Sequence, residues 1–233
     1  MNAADASGSA ATGTPALPRR LFDAVVSPGR MAEAVAADPR WLGAMLVGTV
    51  LLALSVVLIP WELFAEMQRR MVIESGRPAP EFNESMRTAL RVGSIVGAGV
   101  TFVVFSFIGA AVTTFIFTFV LGDEGRYKQY LAVGVHAAII PTLVAVLLAP
   151  LRIAAADPQL TINLGTFLPF LPAGYIAGVF QALDLSRIWS TLVVAQGIHA
   201  IDKRRSFASA ARIQLLILLL VSLVAGWFLS RQG

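Results

Sequence analysis

The side chains through which this chain could do chemistry are few. His136 and His199 are its only histidines, and it has no cysteine. Thiolate nucleophiles, thiolate metal sites and disulfides are thereby removed. A helical zinc protease needs His-Glu-x-x-His, with two imidazoles one turn apart and a carboxylate between them, and neither histidine has that setting. No serine stands in a Gly-x-Ser-x-Gly elbow. The turn from Gly122 to Lys128 is too short to cradle a nucleotide. Two features remain. His136 lies in an apolar run that also holds Pro141, and an ionisable group inside a membrane segment is a candidate functional group. A neutral imidazole can equally hydrogen-bond a neighbouring helix. Asp184 and Arg187 stand three apart, on one helix face, where they can pair or where Asp184 can cap the helix. The composition therefore points to no catalytic residue, no cofactor and no metal.

Helices that cross a bilayer must position these groups. The 233 residues are 57% hydrophobic and 14% charged, against roughly 25% charged in soluble domains. From Val92 to Leu121 no side chain is charged. As a helix that run is roughly 45 Å long, against a hydrocarbon core of about 30 Å. The expected fold is all-α, a polytopic membrane bundle of five transmembrane helices at about 41–61, 92–121, 129–151, 183–201 and 213–230. Phe167 to Leu183 is apolar enough to suggest a sixth span. Pro169, Pro172 and Gly174 break it, and Asp184 follows too soon for a turn. Residues 161–178 are therefore read as an interfacial or re-entrant segment before helix four.

Residues 1–18 read as a disordered Ala/Ser/Gly/Thr/Pro tail with no signal-peptide pattern, and 19–233 as one membrane domain. Arg19 to Asp38 has the spacing of short amphipathic helices on the membrane surface, the second started by Ser27-Pro28. Asp38-Pro39-Arg40-Trp41 reads as the start of span one, with Asp38 as cap, and Trp41 and Trp61 as interface anchors roughly 30 Å apart. The first helix is expected to project to about Ser75, with Gly76 ending it and Asn83 or Ser85 capping the next. Gly93, Gly97 and Thr101, and again Gly109 and Thr113, form small-residue rows that let helices approach closely, within one bundle or between two copies.

Ten basic residues fall on the N-terminal side: Arg19, Arg20, Arg30, Arg40, Arg126, Lys128, Lys203, Arg204, Arg205 and Arg212. The other side has Arg69, Arg70, Arg77, Arg87, Arg91, Arg152 and Arg231, with Arg187 at its edge. That bias favours a cytoplasmic N-terminus and an outside C-terminus. The net charge of +4 is spread over short loops, which fits anionic lipid contact and not nucleic-acid binding.

Four stretches together resemble the Yip1 family of small membrane proteins, in its bacterial branch. They are Ser27-Pro28 followed by Asp38-Pro39-Arg40-Trp41; the turn from Gly122 through Gly125, Tyr127 and Gln129; Asp184-Leu185-Ser186-Arg187-Ile188-Trp189-Ser190; and Gly197-Ile198. The third is similar to the family's DLFxIWS motif, from which Ser186 and Arg187 depart. The resemblance implies five spans, a cytosolic N-terminus and a bacterial cytoplasmic membrane. Eukaryotic members are linked to vesicle traffic and prenylated small GTPases, machinery that bacteria lack. What it implies here is a non-enzymatic adaptor or membrane organiser working with the lipid bilayer and with a membrane-protein partner or a second copy. A small transporter or channel using His136, Pro141 and the Asp184–Arg187 region is the alternative.

Overall fold

The computed structural model of the chain describes residues 14–76, 78 and 82–230. The expected tail up to Gly13 lies outside them, as do Arg77, Pro80, Glu81 and Arg231. Among the described residues the fold is all-helical, with one isolated bridge, Asn163 to Asp184, and no strand. Three helical runs are long and apolar enough to cross a membrane: Glu84–Val120, Tyr127–Ala154 and Phe207–Leu229. A bent pair makes a fourth if counted as one span.

Helices α1 (Leu17–Val26) and α2 (Pro28–Ala37) open the chain. They do not simply float on lipid. Met31, Ala32 and Val35 are fully buried, and Met31 and Val35 pack with Ala24 on Ala132, Val133 and Val193 of the bundle. Phe22 and Val26 stay exposed on the outer face. Pro28 takes the first turn of α2, but the Ser27 hydroxyl accepts from the Arg30 guanidinium at 2.8 Å instead of from a free amide.

The joint to α3 (Leu42–Val57) differs from expectation. Asp38 ends α2 and does not cap α3. Its backbone is extended because the ring of Pro39 disfavours the helical region for the residue before it. Its carboxylate accepts from Thr14 and pairs with Arg40. Beyond Val57 the first helix does not run on to Ser75. Pro60 supplies no N–H, the helix ends, and α4 (Trp61–Glu74) leaves at 79°. Trp61 is therefore no interface anchor: it is buried against Phe64 and Phe82.

Asn83 caps α5 (Glu84–Thr114), accepting from the Met86 amide at 2.8 Å. The last six residues of that helical run, Phe115–Val120, are π-helical. The wider turn helps bring Phe117 to full burial while Phe115 and Phe119 stay exposed. The small-residue rows do not pack inside the bundle: a methyl group at Gly93, Gly97 or Gly109 would meet nothing within 4 Å. The α3–α5 contact runs through other positions, with the Phe102 ring seated over Gly48 and Thr49 over Gly99.

The third run is broken into α6 (Tyr127–Ala137), α7 (Ile139–Leu147) and α8 (Ala149–Ala154). Pro141 has no N–H for the Ala137 carbonyl, and Ser190 donates to that oxygen at 3.0 Å from α10 (Leu185–Ile201). Residues 155–174 hold only a short 3₁₀ turn, and α9 (Tyr175–Ala182) follows. This segment is closed at its neck, with Leu164 N donating to Leu183 O at 3.0 Å and Leu185 N to Ile162 O at 2.9 Å. α9 then packs on α11 (Phe207–Leu229), where Gly178 and Gly226 meet backbone to backbone.

Candidate functional site

The face that carries α1 and α2, here called proximal, brings four of the motif residues together. Gly122 takes φ +73°, a left-handed turn that glycine adopts without strain. A methyl group at Gly125 would overlap the Tyr130 ring. Gln129 does two jobs: its carbonyl oxygen accepts from Arg126 N at 3.0 Å, and its amide donates to Ala36 O at 2.8 Å. Tyr127 donates to Phe107 O at 3.2 Å while its ring stays partly exposed. The turn is thus stapled to α2, α5 and α6.

Sequence reasoning missed the groups that clamp this turn to the one between α10 and α11. Asp123 and Arg205 form a two-pronged ion pair, Nε to Oδ2 at 2.9 Å and Nη2 to Oδ1 at 2.5 Å, and both are largely buried. Asp202 accepts from Glu124 N at 2.9 Å and pairs with Arg204 at 2.8 Å. The Arg204 guanidinium, then the Glu124 amide, hold the Asp202 carboxyl well below the usual carboxylate range. Thr14, ahead of Arg40, lowers Asp38 in the same way. His199 sits at the end of this clamp, its Nδ1 2.7 Å from Arg205 O. Four charged residues in each of two short polar turns were the available signal. Their pairing across 82 positions was not readable.

His136 is sealed within the bundle. Its Nδ1 lies 2.7 Å from Ala132 O, and because a carbonyl only accepts, Nδ1 carries the proton. Nε2 has no partner, nor does the buried Nε of Arg20, whose guanidinium burial pushes below its ordinary pKa. Trp41, just ahead of α3, is half-buried and edge-on to Phe107.

At the opposite, distal face Asp184 caps α10. It accepts from Ser186 N at 2.8 Å, Arg187 N at 3.2 Å and the Ser186 hydroxyl. It makes no ion pair with Arg187, which is exposed. Trp189, one turn along, is 43% exposed. Pro141, Asp184 and Arg187 do share a site: all line a cavity of about 700 Å³ that also touches Arg152 and Gln214. His136 does not line it. The structure therefore joins three of the four residues expected of a transport site and separates the histidine from them. Gln214, also missed, was visible as the one amide side chain in an otherwise apolar span.

The described residues hold no cluster of His, Asp or Glu able to grip a metal ion. Comparison with curated proteins and with solved structures gives no match. A family model, the Yip1 domain, matches residues 22–228. That range contains the proximal turn, the Asp184 cap and the long helices described above, short only of the last residue of α11, and the chain belongs to the Yip1 family.

Proposed function

We propose that the protein is a non-enzymatic, five-span membrane organiser or adaptor of the Yip1 type, with its proximal face in the cytoplasm of a bacterium and its distal face outside. The three long apolar runs, the bent α3–α4 pair and the 17-residue α10 supply the five crossings. The excess of basic residues supports the orientation. One observation carries the reading: the proximal face is built as a rigid platform. α1 and α2 are buried into the bundle, the two turns are clamped by Asp123–Arg205 and Asp202–Arg204, and Arg126, Tyr127 and Lys128 are left displayed. Polar side chains on this face hold loops in place instead of converging on a reacting atom. The exposed Phe22 and Val26 are placed to touch headgroups and acyl chains at its rim.

The test is photo-crosslinking in native membranes from a probe at Lys128, read by mass spectrometry. One dominant protein adduct, lost in the Tyr127→Ala variant at unchanged membrane abundance, is the expected result. Adducts to lipid alone would overturn the adaptor role. The transport alternative loses His136, which lies outside the cavity, and keeps the cavity itself.

A further inference from the structure

The 700 Å³ cavity is a groove laid across the whole depth of the bundle. Its floor is the broken run α6–α8, from Tyr130 to Arg152, roughly 33 Å of helix. That matches a hydrocarbon core of about 30 Å. One wall is α5, which leans on α3 and α6. The other is α10 with α11, which lean on each other, α9 packing on α11. The walls meet at the proximal end, where Phe117, just past α5, packs with Ala195, Ile198 and Ala210, and beyond that contact the groove opens sideways, where Thr101, Phe105 and Gly109 are exposed.

Polar groups occur at every level of this groove. Arg152, Arg187 and Ser186 stand at the distal mouth, Thr101, Ser106 and Thr142 midway, and Thr113, Tyr130 and Gln214 toward the proximal end. Gln214 is the telling one. It is only 8% exposed, and its amide nitrogen has no acceptor in the protein. A slot for acyl chains alone would be apolar to its end, because an unpaired buried N–H costs about 1–3 kcal/mol. An occupant with oxygen acceptors at that depth would satisfy it. At the distal mouth Arg187 has no carboxylate partner among the described residues, while Arg152 donates its Nε to Leu160 O at 3.0 Å and lies within the electrostatic reach of Asp157 and Asp184. Two guanidiniums beside headgroup level, that of Arg187 without a carboxylate partner, suit a phosphate.

We propose that glycerophospholipids cross between leaflets along this groove, the phosphate headgroup passing between the Arg152–Arg187 mouth and Gln214 while the acyl chains stay in the surrounding lipid. The proposal rests on the reading of the chain as a membrane organiser and names what it moves. The hydroxyls between the two ends lower the barrier that a bare hydrocarbon slab presents to a charged headgroup.

The experiment uses the full chain reconstituted in vesicles of phosphatidylethanolamine and phosphatidylglycerol with a trace of fluorescent phospholipid. External dithionite bleaches only the outer leaflet of protein-free vesicles. With the protein, bleaching is expected to pass the half-way plateau. Gly109→Trp fills the groove at a position with no neighbour within 4 Å, and should slow the second phase about tenfold, a barrier change of ~1.4 kcal/mol. Gln214→Leu should slow it several-fold while thermal stability holds or rises, since it removes an unpaired buried donor. A folded wild type that stops at half overturns the proposal. So does a rate untouched by both substitutions. Crosslinking from Lys128 reads the adaptor role independently, so either idea can fail without the other.

Discussion

Gly226 has no room for a methyl group. Its Cβ would stand 2.7 Å from Val179 N and 2.9 Å from Val179 Cα, backbone atoms that cannot swing aside. Gly226→Ala should cost about 2 kcal/mol, the range of overpacking, seen as a lower melting temperature in detergent. Gly93→Ala and Gly97→Ala, in open surroundings, should leave stability equal or higher. The contrast corrects a sequence inference. Spacing by four identifies small residues that could sit at a close contact, but which row is used depends on which face meets a neighbour. Conversely, Asn83, Gly76 and Gly122 were readable because capping and positive φ are local demands. His136 and Gln214 were readable as oddities in apolar runs. Only packing could show that one is sealed and the other faces a groove.

At the scale of elements, the two proximal turns act as one unit. Asp123→Ala should cost about 3 kcal/mol, because Arg205 keeps a largely buried charge without its partner. Proteolysis of the loops should report the loss. The clamp also fixes a sign for pH. Asp202 has its carboxyl pKa depressed in the fold, so its contribution is fully present above the ordinary value of 3.8 and is lost as pH falls below it. Stability should be flat between neutral pH and about 5, then decline below about 4. Asp202→Asn should shrink that acid-side decline. In the third run, Ser190 satisfies the carbonyl that Pro141 leaves free. Ser190→Ala should destabilise by roughly 0.6 kcal/mol, typical of an interhelical hydrogen bond in a membrane, measurable by thermal or steric-trap unfolding. The helix breaks themselves follow from Pro60, Pro141 and Pro150. The bend direction at Pro60 and the pairing of Asp123 with Arg205 depend on tertiary contacts that no local pattern encodes.

At the scale of the whole molecule, hydropathy and basic-residue bias decide the class and the expected sidedness. Packing decides that the N-terminal helices belong to the bundle. The chain has no cysteine, so single replacements report topology directly. Lys203→Cys should react with a membrane-impermeant maleimide only from the cytoplasmic side, and Asp157→Cys only from outside. The reverse pattern would invert the proposed orientation. The distal segment has one more consequence. Its two ends are stitched by the Leu164–Leu183 and Leu185–Ile162 hydrogen bonds, at a neck whose width does not depend on what lies between. Lengthening a loop with a fixed neck costs little closure entropy. The stretch 168–174 is therefore a socket, one into which a peptide tag or small reporter can be inserted without shifting the register of the helices on either side.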